Sequence, residues 1–118
     1  EQGFEKWANF PTARKKLLDL LAETKPNNAI LLSGDRHISE FSKLELPEIE
    51  GGLYEFTSSG LTHSYKEFSG EPNQHRIGEV VFDLSFGMIL IDWSAANPKV
   101  SFQMKGVGGA LQQELELN

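Results

Sequence analysis

Ala29-Ile30-Leu31-Leu32-Ser33-Gly34-Asp35-Arg36-His37 is the stretch on which the reading of this chain turns. Four consecutive apolar residues closed by Ser-Gly have the pattern of a strand covered on both faces, so residues 29–32 predict a central strand. Directly behind that strand come a carboxylate and an imidazole two residues apart. Side chains at i and i+2 of an extended or turning segment project to the same side. Asp35 and His37 therefore share one side at a strand end, where open α/β sheets place their ligands. Both are donors for divalent cations, and Gly34 lets the backbone pass close to one. On pattern alone the plainer reading wins, because Gly-Asp is ordinary turn chemistry and two ligands are too few for a metal site. Arg36 by itself reads as a solvated surface residue.

Upstream, Pro11 is placed to open a helix, and Ala13, Leu17, Leu20 and Leu21 then fall on one stripe. The expected helix runs to about Glu23 and is stopped by Lys25-Pro26-Asn27-Asn28. Arg14 to Lys16 in its first turn oppose the helix dipole, so packing has to hold it. Downstream, residues 38–46 and 53–57 predict two shorter strands separated by Pro47 and Gly51-Gly52. Residues 61–78 show no sustained period and form a long irregular connection, a kind of segment that tends to be functional or disordered. Beyond it, Val80, Phe82 and Leu84 alternate, Met88 to Trp93 is nearly all apolar, Val100, Phe102 and Met104 alternate, and Leu115 and Leu117 alternate with acids. With turn residues at Phe86-Gly87, Asn97-Pro98 and Gly106 to Gly109, residues 79–117 predict a four-stranded antiparallel meander. Trp93, Phe102 and Tyr54 are expected in the core.

The chain has 118 residues, room for one domain with a modest core. Its 17 acids against 11 bases give a net charge of −6, which argues against a general phosphate-backbone binder and so against nucleic acid as a partner. There is no cysteine, so any metal here is held by histidine and carboxylate. No apolar run approaches the roughly 20 residues of a membrane-spanning helix.

Leu31 to His37, followed by Leu53-Tyr54-Glu55-Phe56-Thr57-Ser58-Ser59-Gly60-Leu61-Thr62-His63-Ser64, resembles the C-terminal part of PhoD-like phosphatases in the metallophosphoesterase superfamily. Asn73 to Gly78, Phe86 to Trp93 and Trp7 to Leu18 resemble the same group, so the likeness spans nearly the whole chain. The resemblance implies an α/β (α+β) chain, one N-terminal helix then mostly antiparallel β, forming the C-terminal half of a four-layer α/β/β/α sandwich. Residues 1–118 would then be a single partial domain. The superfamily's last motif is usually Gly-His-x-His, with Asp in the first position of the PhoD-like variant; Asp35 and His37 match its two ligand positions. The earlier superfamily motifs do not occur upstream of Ala29. The expectation is therefore a segment that contributes two ligands to a dinuclear site, its N-terminal half supplying the others.

In such a parent protein two divalent or trivalent ions (Fe, Ca, Mn or Zn) would support hydrolysis of a phosphate-ester substrate. This chain alone is expected to bind metal weakly and to be inactive. Substrate-binding candidates are Arg36, Ser58, Ser59, His63, His75 and Arg76. A serine hydrolase built on Ser58, Ser59 and His63 is disfavoured because the Gly-x-Ser-x-Gly elbow is absent. The resemblance also implies export to a periplasmic or extracellular compartment. A severed half-sandwich would expose apolar strand faces and self-associate. The competing reading is a non-enzymatic β-rich binding or assembly module, or a degenerate relative that kept the scaffold and lost the metals.

Overall fold

The computed structural model describes residues 5–94 and 96–117. A single helix is followed by two mostly antiparallel sheets, an α+β arrangement. Helix α1 spans Pro11–Thr24, with Pro11 in its first turn and Lys25 closing it in a left-handed conformation (φ 46). The exposed Lys15–Asp19 pair spans one turn of it. None of its residues is fully buried; Leu17, Leu18, Leu21 and Ala22 are half-buried, whereas Ala13 and Leu20 of the expected stripe are exposed. The inward stripe is thus rotated, and it faces a groove of about 240 Å³ lined by Leu17, Leu18, Leu31, Leu53 and Tyr54.

The first sheet holds β1 (Ile30–Ser33), β2 (Ser39–Leu44), β3 (Leu53–Ser58) and β4 (Arg76–Val81) in the order β1-β3-β2-β4. β1 runs parallel to β3, with Leu32 opposite Phe56, and β2 is antiparallel to both β3 and β4. The second sheet is a three-stranded meander of β5 (Ser85–Asp92), β6 (Lys99–Gly106) and β7 (Leu111–Leu117). Two expectations are corrected here. The apolar run is an edge strand, since among the described residues β1 is bonded to β3 alone and Leu32 is 62% exposed. The meander has three strands, because β4 leaves it to pair with β2 in the other sheet.

The physical reason is the same in both cases: hydrophobic pattern marks a segment as a strand but does not name its partner. The interior of the first sheet falls instead to β3 and β2, and the polar side chains of β2 are all matched. Ser39 Oγ lies 3.2 Å from Ser85 Oγ, Glu40 accepts from Arg76, and Ser42 accepts from Asn73 at 3.0 Å. The Glu40–Arg76 pair ties the start of β4 to β2 at 2.7 Å.

The core lies between the sheets. Phe41 and Phe56 face each other across the β2–β3 register with ring centroids 4.7 Å apart, and Phe102 meets Phe56 edge-on at 6.1 Å. Met104 completes the buried cluster, ringed by half-buried Ile30, Ile77, Val81, Val100, Leu115 and Leu117. Of the expected core aromatics Phe102 is buried and Tyr54 half-buried, but Trp93 is 73% exposed just past the end of β5. On the outer face of the second sheet Glu114 accepts hydrogen bonds from Gln103 and Ser101, which holds its carboxyl below the ordinary glutamate range.

β5 lies against β2 and β3, and β7 against β4, so β1 and β5 are the edge strands on one side and β4 and β7 those on the other. Met88, Ile89, Leu90 and Ile91 along β5 are each about two-fifths exposed. No described helix is long and apolar enough to cross a membrane.

Gly87 is where β5 touches β3: a Cβ there would stand 2.8 Å from the Phe56 ring and 2.9 Å from Ser58 Oγ. Gly87→Ala is accordingly expected to lower stability by about 1–3 kcal/mol through overpacking. Urea denaturation measures it, and a neutral result would mean that the sheets part without cost at this edge.

Candidate functional site

The turn joining β1 to β2 carries the candidate residues, and its backbone is unusual. Asp35 (φ 68) and His37 (φ 56) are both left-handed, with Arg36 between them. L-residues enter this region at a cost of roughly 1–2 kcal/mol, and Asp and His are among those that tolerate it best. The chain must reverse from the parallel strand β1 into β2, which lies on the far side of β3, within the few residues after Ser33. That tight reversal projects Asp35, Arg36 and His37 into one open cleft of about 400 Å³, which Glu5 and Tyr65 also line.

The connection from Ser59 to His75 wraps this turn. Ser59 donates from its backbone N–H (3.2 Å) and its hydroxyl (3.1 Å) to the Ile38 carbonyl, and the Tyr65 N–H donates to the His37 carbonyl at 2.9 Å. Arg36 Nη2 donates to Glu71 Oε2 at 2.5 Å, with both side chains less than one-fifth exposed. The His63 ring stacks beside that of His37, centroids 5.8 Å apart, and its Nδ1 lies 3.0 Å from Thr62 Oγ1. Asp35, His37 and His63 are exposed to solvent.

The candidates therefore separate in space. Asp35, Arg36, His37 and His63 come together, and Ser59 supports them from behind through the Ile38 carbonyl. Ser58 instead lines a second cavity of about 310 Å³ between the open sheet edges, with Ser33, Phe56, Gly60, Ser85 and Gly87. His75 lines the groove beneath α1, its carbonyl accepting from the Lys43 N–H at 2.8 Å. The Arg76 guanidinium is engaged twice, by Glu40 Oε2 at 2.7 Å and by the Glu71 carbonyl at 2.9 Å. Sequence reasoning missed Glu5 and Tyr65 on the cleft and Glu71 behind Arg36. Glu71-Pro72-Asn73 carries only turn chemistry in one dimension, and nothing periodic points to it.

Asp35 and His37 offer an anionic oxygen and an imidazole nitrogen on one cleft, a donor pair that suits a divalent cation. Among the described residues no group of three or more His, Asp or Glu is placed to hold a metal ion. The pair fits as part of a coordination sphere and does not make a whole one, since a protein site ordinarily supplies three or four ligands. No family model, no curated protein and no solved structure matches this chain.

The left-handed backbone yields a direct check. Glycine removes the Cβ penalty at such a position but adds about 0.5–1 kcal/mol of chain entropy. Asp35→Gly and His37→Gly are expected to leave stability unchanged or raise it by up to about 1 kcal/mol. Thermal and urea melts of both variants test this; a clear loss in either would show that these side chains support the fold and are not held there at its expense.

Proposed function

We propose that this chain is the C-terminal part of a PhoD-like metal-dependent phosphatase or phosphodiesterase, supplying Asp35 and His37 to a dinuclear metal centre. The observation that carries the reading is the turn itself: a carboxylate and an imidazole, two residues apart, stand exposed at a strand end, on left-handed backbone, facing one cleft. Stability alone would not select such a turn, and strained, solvent-facing donors of this kind cluster at functional sites.

In this reading Asp35 offsets cation charge and His37 coordinates through a ring nitrogen. The ions, when bound, polarise the phosphoryl oxygens and generate the nucleophile. His63, stacked on His37, restrains the imidazole plane. With only two donors, the 118-residue chain by itself binds cations weakly and hydrolyses nothing.

The test uses a polypeptide extended upstream, loaded with manganese, zinc, iron or calcium, and assayed on aryl phosphate mono- and diesters. Metal-dependent hydrolysis is expected, lost on chelation. Asp35→Ala and His37→Ala should each reduce kcat/KM by at least about 100-fold, the upper end of what even outer-shell substitutions cost at metal sites. Full activity in either variant, or none in the parent under every metal, overturns the proposal.

A second reading, a β-rich assembly module, draws on one feature, the edge strand β5, whose residues between Ser85 and Asp92 are apolar or glycine and which carries neither lysine nor proline to protect it. Such an edge is a template for another strand. Sedimentation velocity on the 118-residue chain is expected to show association that Leu90→Lys abolishes. An assembly of fixed stoichiometry, together with no metal-dependent activity in the extended polypeptide, would favour the module over the enzyme.

A further inference from the structure

Two non-glycine residues in left-handed backbone persist only where their surroundings over-determine them. In this turn the restraint comes from far along the chain. The Arg36 guanidinium, set between the two strained residues, is clamped by Glu71 at 2.5 Å, with 19% and 18% of the two side chains exposed, so solvent screens the pair less than it would a surface one. Glu71 is anchored in turn, because its carbonyl accepts from Arg76 Nη2 at 2.9 Å. Arg76 Nε donates to Glu40 Oε2 at 2.7 Å, and Glu40 is 8% exposed on β2, between β3 and β4. Glu40, Arg76, Glu71 and Arg36 thus link the middle of the first sheet to the turn at its end.

Charge-assisted pairs of this kind fix direction as well as distance. With its guanidinium engaged by Glu71, Arg36 is not presented to the cleft as a free anion clamp; its role is to hold the backbone on which its two neighbours are mounted. We propose that Glu71 is a positioning residue for the Asp35 and His37 pair: anchored by Arg76, its carboxylate fixes Arg36 and with it the direction in which the flanking carboxylate and imidazole enter the cleft. The consequence for cation binding rests on the phosphatase reading, whereas the consequence for turn conformation stands without it.

The experiment is nuclear magnetic resonance on the 118-residue chain, wild type against Glu71→Gln and Glu71→Asp. Backbone carbon shifts of Asp35 and His37 report the left-handed conformation, and titrated manganese ion broadens the ring resonances of a coordinating imidazole, His75 serving as the internal control. In Glu71→Gln the shifts at residues 35 and 37 should leave left-handed values while those of β2, β3 and β6 hold. The manganese concentration that half-broadens His37 should rise by about tenfold, the lower end of outer-shell effects on metal affinity. Glu71→Asp keeps the charge and is expected to stay close to wild type in both readouts. Unchanged shifts at residues 35 and 37 in a folded Glu71→Gln overturn the proposal. Should that variant fail to fold, Arg36→Gln removes the other half of the pair and leaves Glu40 with Arg76, and is followed by the same shifts: departure from left-handed values at residues 35 and 37 supports the positioning role, and retention of them overturns it. The expected shift changes without any selective broadening of His37 in the wild type would uphold the positioning role and count against the metal reading.

Discussion

Phe41 and Phe56 stand opposite each other on neighbouring strands of one sheet, and Phe102 with Met104 closes over them from the other. These four side chains are the buried centre of a chain too short for a large core, and fully burying each contributes on the order of 1.5–3 kcal/mol. Their packing sets the distance between the sheets, and Gly87 permits that distance where β5 meets β3, since a side chain at position 87 would run into the Phe56 ring. The remaining architecture follows from this contact. β6 must present Phe102 and Met104 inward, which turns Ser101 and Gln103 outward to Glu114.

The same packing decides where the candidate site stands. β3 carries Phe56 in the core and pairs with β1 on one side and β2 on the other. The chain that leaves β1 must therefore step over the end of β3 to begin β2, and the step is made by Asp35, Arg36 and His37. A right-handed crossover with a helix would have taken about a dozen residues or more; here the next strand starts at Ser39, antiparallel, and the short route is taken with left-handed backbone at two positions. The long connection after β3 folds back to secure the turn, through Tyr65 on the His37 carbonyl and Glu71 on Arg36.

Polar pairing, more than apolar pattern, governs strand order in the first sheet. β2 has the least regular hydrophobic signal of the early strands and lies between β3 and β4, because Ser39, Glu40 and Ser42 each meet a partner supplied by a distant segment. A buried glutamate without Arg76 would cost several kcal/mol. With Arg76 in place the pair specifies which strand becomes its neighbour. β1 is the reverse case, four apolar or small residues with only one neighbour among the described residues and Leu32 facing outward.

Local pattern was sufficient for most of the elements: Pro11 and the apolar spacing placed the helix, apolar runs located the strands to within a few residues, and Gly34 with Asp35 and His37 marked the turn as chemically distinctive; but Phe86-Gly87, expected as a turn, lies inside β5, and the strand expected from Val80 to Leu84 is Arg76–Val81. These are short-range properties, since period and turn chemistry act over a few residues and can be read in one dimension. Which strand pairs with which, which apolar run is left at an edge, and which glutamate stands behind Arg36 were decided only by tertiary structure. Those outcomes depend on contacts beyond the reach of local pattern, such as Ile30 with Tyr54, Arg36 with Glu71 and Glu40 with Arg76, and many alternative pairings share the same hydrophobic pattern until burial and charge matching select one.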